Sequence, residues 1–395
     1  MTLSFATIPL LLFTSSERKM DPEIEESSHK TMTTKTRTVL VVGAGYAGLE
    51  VCLCLQQDQS IQLILVDARQ QFMLHKMSAL RAATVGSTWI DKTLIPSNKL
   101  KRVKFVQGKL VKIHSADNFV VLHTGEEIHY DYIVLCTGAR NFSPAEPPLS
   151  ITTRESTVAY FTRTQAAIAK ANKIVIYGAG LVGIELAGEI LHKYAGNKSV
   201  LLVKPQNHSL LGGVTLNSQQ EQSMLDLLSG TKHLLYLPDE QIKFPPVPTG
   251  DWSEASPLVE MGDSPVVFQS GKQLEDCDLI AGTFQVHDTP NAFALGDVAK
   301  TGHAKLASMH MADAKEVANN IKRLVAGQEP IVSTNLDLTE SFAPPVPKGQ
   351  VLVSFGPSKG RTFWMGSGTT SGNWFTWAAK SRHLFVGYIA SRYRH

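Results

Sequence analysis

The sequence predicts an α/β fold: two doubly wound units, each built around a βαβ turn, followed by a small C-terminal α+β unit. Three observations carry this reading. A glycine-rich turn, VVGAGYAGLE (Val41 to Glu50), follows an apolar β-branched run and opens a helical pattern. The same design returns in VIYGAGLVGIE (Val175 to Glu185). Past Glu329, the proline-rich SFAPPVPKGQ leads into a segment of different composition, rich in aromatic and basic residues.

The elements follow in order. Residues 1–36 read as a disordered extension. Its apolar run, Ile8 to Phe13, falls short of the ~20 residues that span a bilayer. It lacks the basic flank of a secretory signal, and the acidic DPEIEE after it does not suit a transit peptide. A weak anchor or a cleaved leader is the alternative, and the start carries no M-G for N-myristoylation. TVLVVGAG, from Thr38, is a buried parallel strand entering a tight turn, and a helix runs from Ala47 to Gln57. IQLILVDAR (Ile61 to Arg69) is the next strand. Phe105 to Ile128 alternates with turn signals at Asp117 and Gly125, as in a small antiparallel meander. YDYIVLCTGA (Tyr130 to Ala139) is a further strand, and Ser143 to Pro148 a proline-rich crossover.

The second unit opens at Lys173, with a helix over Val182 to Tyr194 and a strand over Ser199 to Lys204. Residues 240–275 read as irregular strands and loops. NAFALGDVA (Asn291 to Ala299) is a strand running into a helix, and Ala304 to Ala326 is strongly helical. The expected boundaries are 37–145 with 284–330 for the first unit, 146–283 for the second and 331–395 for the C-terminal unit.

Bulk properties narrow the function. At 395 residues the chain holds more than one core, and 43% hydrophobic with 18% charged residues describes a folded body. A net charge of +3, from 38 basic and 35 acidic residues, is too balanced for a nucleic-acid partner. Four cysteines make no disulfide framework, which points to a reducing compartment and a cytoplasmic location. No metal is assigned.

Each glycine turn has a physical logic. Gly43 permits the tight turn, Gly45 lets backbone approach a pyrophosphate, and Gly48 allows close packing of helix on strand. With Ala44, Tyr46 and Ala47 they form a cradle at a helix N-terminus, where backbone N–H groups face an anion. Asp67 ends the next strand, where a carboxylate accepts both ribose hydroxyls. The bland alternative is a strand–helix turn without a ligand. Gly178, Gly180 and Gly183 repeat the design, but Lys204 stands where the acid would be. A lysine there admits a 2′-phosphate, so NADPH is permitted beside NADH; the alternative is a solvated surface lysine. Two cradles imply two dinucleotides and electrons passing between them.

With LCTGA (Thr137, Gly138) and LGD (Gly296, Asp297) following in order, the chain resembles the FAD-dependent pyridine nucleotide oxidoreductases, with two Rossmann-like domains of the glutathione-reductase type. The resemblance implies FAD in the first unit, with Asp297 on its ribitol chain, and NAD(P)H in the second. Disulfide reductases of this superfamily carry a redox Cys pair on the helix after the first turn. Here that helix has Cys52 and Cys54, which point to different faces and cannot form a relaxed bridge. They read as small buried hydrophobes, so electrons leave the flavin directly for a diffusible acceptor.

SALRAA (Ser78 to Ala83), GIELAGEI (Gly183 to Ile190), VLVSFGPSKGRTFWMGSG and WAAKSRHLFVGYIASRYRH are similar to the apoptosis-inducing-factor-like mitochondrion-associated branch, which contains ferroptosis suppressor protein. That resemblance implies an NAD(P)H:quinone reductase regenerating a lipid-soluble quinol at a membrane surface, with mitochondrial association in keeping. It assigns Arg81 to FAD phosphate or adenine contacts, Leu110 to an adenine backbone contact, and Glu185 and Lys380 to the neighbourhood of flavin ring and quinone. A surface helix acid and a plain rim cation are the alternatives for the last two.

Phe363, Trp364, Trp374, Phe375, Trp377, Phe385 and Tyr388 are interleaved with Lys359, Arg361, Lys380, Arg382, Arg392 and Arg394. Aromatics beside basic residues suit a headgroup interface and peripheral membrane contact. Packing in the core or in a homodimer contact is the alternative. The chain departs from the family between DLIAGT (Asp278 to Thr283) and HDTPNAFALGD, where relatives place a further connecting helix or loop and a returning strand. The shortened junction leaves two other readings open: a flavin-binding signalling or death-effector protein, or pseudoenzyme, and a reductase of a soluble iron–sulfur protein.

Overall fold

The computed structural model describes residues 36–393 apart from 98–99, 142, 213, 241–265, 270–271, 274–281, 302–304 and 334–348. The N-terminal apolar run, the heart of the irregular 240–275 region, Cys277, most of DLIAGT and Arg394 therefore lie outside the described residues. The described helices are α1 (Tyr46–Leu55), α2 (Lys76–Val85), α3 (Ser87–Thr93), α4 (Arg154–Lys170), α5 (Leu181–Lys193), α6 (Ser218–Ser229), α7 (Ala307–Val325), α8 (Asn373–Thr376) and α9 (Val386–Tyr393).

The first sheet has six strands in the order Gln285–Val286, Thr289–Ala294, Tyr132–Leu135, Arg37–Val42, Ile61–Asp67, Val103–Gln107. Its pairings are parallel except the edge hairpin between the first two. The strand period of two explains the continuous apolar run in TVLVV. Val39 and Val41 enter a core shared with Leu49 and Cys52 of α1 and Val317 and Ile321 of α7. Leu40 and Val42 face the opposite core, with Val120, Leu122 and Ile128. Each such burial contributes ~1.5–3 kcal/mol. The last three residues belong to an antiparallel ribbon, Leu110–His114, Phe119–Leu122 and Glu127–His129. The expected meander is thus present but starts later, because Phe105 to Gln107 joins the sheet beside Leu65 to Asp67 instead.

The second sheet is parallel, in the order Leu234–Glu240, Ser199–Pro205, Lys173–Tyr177, Val266–Gln269. Helix α5 lies between this sheet and a C-terminal antiparallel sheet of Gln350–Phe355, Lys359–Trp364 and Thr369–Ser371. Gly188 makes that sandwich close: a Cβ there would sit 2.5 Å from the Gly356 backbone nitrogen. Helix α9 returns to the first core through Ile389, Ala390 and Tyr393.

One sequence expectation is corrected. Asn291 to Ala299 does not run into a helix. The strand ends at Ala294, residues 295–301 turn, with Gly296 at φ +85°, and α7 starts only at Ala307. A left-handed residue interrupts helical hydrogen bonding, and an apolar pattern cannot reveal it.

Candidate active site

The first glycine turn sits at the carboxyl end of the central strand, where the strand order reverses and open α/β sheets place their ligands. Its glycines obey opposite constraints. Gly43 adopts φ +108°, and a Cβ on it would lie 2.3 Å from the Cys136 carbonyl oxygen. A Cβ on Gly48 would lie 1.9 Å from the Gly43 oxygen. At Gly45 no atom lies within 4 Å of that position, so this backbone faces open space and N-caps α1 without a side-chain cap. Asp67 stands across from it: Oδ2 accepts from the Ala44 N–H (2.7 Å) and Oδ1 from the Arg69 N–H (2.7 Å).

A cavity of about 460 Å³ opens here, and Gly43, Asp67, Leu110, Thr137 and Gly138 all line it. Ala44, Tyr46 and Ala47 complete the turn beside it. The LGD string meets it through Val298, while Gly296 approaches the Ala47 Cβ and Asp297 Oδ1 lies 3.4 Å from His310 Nε2 of α7. A cradle open at Gly45, a carboxylate at the end of the next strand and a cavity of this size fit a dinucleotide.

Two groups, one at this cleft and one behind Tyr46 of the turn, are not legible in the sequence. Glu146, in the proline-rich crossover, also lines the cavity and pairs with Arg69 (2.7 Å) and Lys76 (3.1 Å). Burial would raise its carboxyl, but Lys76, Arg69 and the Asn141 amide outweigh that and bring the pKa down to about 2. Lys76 Nζ also donates to the Ala139 carbonyl (3.2 Å). A lone acid among prolines was the available signal. The second group is His75, fully buried between Tyr46 Oη at Nδ1 (2.8 Å) and the Leu384 carbonyl at Nε2 (2.8 Å). A carbonyl only accepts, so Nε2 carries the proton and Nδ1 accepts from the tyrosine. Burial holds the ring neutral, lowering its pKa to about 4.

The second turn repeats two backbone bonds of the first. Gly43 N–H donates to the Val66 carbonyl (2.7 Å) and Gly178 N–H to that of Val203 (2.8 Å); Leu49 N–H reaches the Gly45 carbonyl and Ile184 N–H that of Gly180, both at 3.1 Å. Gly178 takes φ +114°, Gly180 N-caps α5 with open space at its Cβ position, and Gly183 is buried in the helix. Lys204 Nζ donates to the His208 carbonyl (2.8 Å).

Glu185 and Lys380, far apart in sequence, meet at 2.6 Å. Glu185 Oε1 also accepts from the backbone (3.0 Å) and hydroxyl (2.9 Å) of Ser354, and Lys380 Nζ donates to the Leu352 carbonyl (2.8 Å). Neither is a surface helix acid or a plain rim cation: their side chains are 11% and 12% exposed.

Arg81 is not among the residues that line the cavity at the first glycine turn. It is 2% exposed, forked onto Glu189 of α5 at 2.6 to 3.0 Å, with Nη2 on the Ser381 carbonyl (2.7 Å) and Nη1 on that of Arg382 (3.2 Å). A buried guanidinium takes the partner that neutralises it, and that partner lies on another helix.

The interleaved C-terminal aromatics divide. Phe363 is core, Trp364, Phe375, Trp377 and Phe385 are partly covered, and Trp374 (75%) and Tyr388 (57%) stand exposed. Cys52 is buried with its thiol pushed up to about 12 by burial, and Cys54 is half-buried.

The family model for pyridine nucleotide-disulphide oxidoreductases matches residues 37–222, a span containing both glycine turns. Apoptosis-inducing factor homolog B of Dictyostelium discoideum is 33% identical over 174 residues, 44% of this chain and 43% of that one, so the match spans less than half of that relative. Ferroptosis suppressor protein 1 of Xenopus tropicalis is 26% identical over 369 residues, 88% of this chain and 93% of its own. Among solved structures, the sulfide:quinone oxidoreductase of Aquifex aeolicus shares the fold, with a TM-score of 0.61 at 16% identity over 91% of this chain and 92% of that one. Residues 37–222 are thus similar to the pyridine nucleotide-disulphide oxidoreductases, whose chemistry uses FAD and NAD(P)H, and the chain as a whole is similar to proteins of the apoptosis-inducing-factor-like branch.

Proposed function

We propose that the protein is an NAD(P)H:quinone oxidoreductase acting at a membrane surface. The observation that carries the proposal is the Glu185–Lys380 contact at 2.6 Å, which joins the helix of the second glycine turn to the C-terminal unit. In this reading residues 37–145 with 284–330 hold FAD and 146–283 hold NAD(P)H. Gly43, Gly45 and Gly48 would cradle the FAD pyrophosphate, Asp67 its ribose, Leu110 its adenine, and Thr137, Gly138 and Asp297 the rest. FAD, when bound, supplies a two-electron carrier between a hydride donor and a quinone.

The chain's own groups set the rest. Lys380 Nζ shares its proton with Glu185 Oε1 and keeps a positive charge fixed in a half-buried site, where it stabilises negative charge developing nearby. A quinone takes up two electrons and two protons to become a quinol; the hydride from NAD(P)H accounts for both electrons and one proton, and in this reading the second proton comes from Lys380 Nζ, which solvent then reprotonates. Lys204 admits NADPH beside NADH. Trp374 and Tyr388 are exposed, as are Lys359 and Arg382, and in this reading they provide aromatic and basic contacts for the headgroup region. The ferroptosis suppressor protein and sulfide:quinone oxidoreductase relatives support the quinone as acceptor.

The test is spectroscopic. The purified protein is expected to be yellow, to bleach on NADH or NADPH, and to regain colour with a short-chain quinone. Lys380→Met is expected to slow quinone-driven recovery by about tenfold or more. A flavin that is reduced yet ignores quinone, or recovery unaffected in K380M, overturns the proposal. Transfer only to ferredoxin-like acceptors would identify the iron–sulfur reading instead, and flavin that scarcely reduces the pseudoenzyme.

A further inference from the structure

We infer that Arg81 and His75 are positioning residues for Lys380: together they tie down the backbone turn that carries the lysine. The inference rests on the role proposed for the Glu185–Lys380 pair. Residues Trp377–Ser381 form a wide π-helical turn, closed by Arg382 N–H on the Trp377 carbonyl at 3.3 Å. Such a turn leaves carbonyls at its end without helical partners. Side chains from the start and middle of the α2 segment accept that task. Arg81 donates to the Ser381 and Arg382 carbonyls, and His75 Nε2 to that of Leu384.

The following backbone needs such support. Leu384 and Phe385 adopt φ +49° and +58°, a conformation costing each non-glycine residue ~1–2 kcal/mol. Leu384 N–H returns to the Lys380 carbonyl at 2.7 Å, so holding Leu384 also holds the lysine's own peptide.

Both tethers are themselves fixed. Glu189, which orients Arg81, lies one turn beyond Glu185 on α5, so one helix grips the lysine directly and its turn through the arginine. Tyr46 donates to His75 Nδ1, so the second tether begins at the first glycine turn. The geometry of Lys380 is thereby set from both cradles at once.

The experiment uses the full, FAD-loaded chain and reads Lys380 without relying on turnover. Acylation by a water-soluble amine reagent is mapped by peptide mass spectrometry, with exposed Lys359 as internal reference. Loosening the turn by Arg81→Lys or His75→Leu is expected to raise Lys380 labelling about fivefold relative to Lys359, as a locally opened segment does. Labelling at the wild-type ratio in both variants overturns the inference, and the second variant decides should the first fail to fold.

A double-mutant cycle gives the kinetic readout. R81K is expected to lower quinone reduction about tenfold, as a misplacement of the order of 1 Å does, but less than about twofold on the K380M background. Equal losses on both backgrounds overturn the inference. Full activity in K380M alone sinks the functional reading, while the labelling still decides the tether.

Discussion

Gly45 and Gly48 belong to one turn, yet substituting them tests different things. Alanine at Gly48 drives its Cβ into the Gly43 carbonyl at 1.9 Å, against backbone that cannot swing away, and is expected to cost upwards of about 2 kcal/mol. Alanine at Gly45 meets no atom within 4 Å, so flavin-free G45A is expected to melt within a few degrees of flavin-free wild type, while the flavin content of the protein as purified collapses. A thermal melt and an absorbance spectrum read both; a G45A protein retaining full flavin would refute the cradle. His75 makes a separate prediction about pH. Its folded pKa of about 4 lies below the ordinary 6.5. Above pH 6.5 both states hold the ring neutral. As pH falls from 6.5 toward 4, the unfolded chain binds a proton that the folded one refuses, so stability falls. The loss is expected to be about 2 kcal/mol between pH 7 and pH 5 in urea titrations, and His75→Leu to flatten that limb. Glu146, lowered to about 2, adds a later loss as pH drops below 4.5.

Helix α9 is held to α1 by charge as well as packing. Arg392 Nε donates to Glu50 Oε2 at 2.7 Å and Nη2 to Oε1, and Glu50 is fully buried. Arg392→Leu leaves a buried carboxylate without its cation, an expected loss of about 3 kcal/mol, which Glu50→Gln in the same chain largely restores by removing the charge. Urea unfolding of the three proteins checks it; no recovery in the double variant assigns the loss to packing. The sequence showed these elements unevenly. The β-branched strands and α1 and α5 are legible because their signals are local: runs buried on both faces and glycines opening a helix. Helices α4 and α6 carry a local signal at their N-termini, Thr153 with Ser156 and Asn217 with Gln220 forming reciprocal caps. Helix α2 carried less, since Ser78, Arg81 and Thr84 are polar yet buried and break its apolar pattern. The site divides likewise. The glycine turns and Asp67 are encoded within one βαβ unit, whereas the partners of Arg81, His75 and Glu146 are set by packing between distant segments. A buried arginine on α2 looks like a phosphate ligand until Glu189 is seen beside it.

At the scale of the molecule, residues 373–393 reach both sheets. Arg392 and the Leu384 carbonyl engage Glu50 and His75 of the first sheet's unit, while Lys380 engages Glu185 on the helix of the second. The segment also places Ile389 and Tyr393 in the first core, and the Thr376 hydroxyl bonds that of Thr362 in the C-terminal sheet at 2.9 Å. Cooperativity between units depends on such shared contacts, because a unit that unfolds alone must strip its neighbour of them. Ending the chain after Gly372 removes these links, leaves the Arg81–Glu189 pair and Leu80 as remaining contacts between α2 and the second unit, and leaves both parallel sheets with their own strands and covering helices. The full chain is therefore expected to melt in one calorimetric transition, and the shortened chain in two, the lower belonging to the unit left with the larger uncovered apolar face. That unit is the first, because Tyr393, Ile389 and Ala390 come out of its core whereas the second sheet keeps Val351, Val353 and Phe363. Added FAD, which the proposal places in the first unit, should then raise the lower transition alone by mass action. A single undivided melt in the shortened chain, or FAD moving the upper transition, would show that the two sheets are coupled elsewhere.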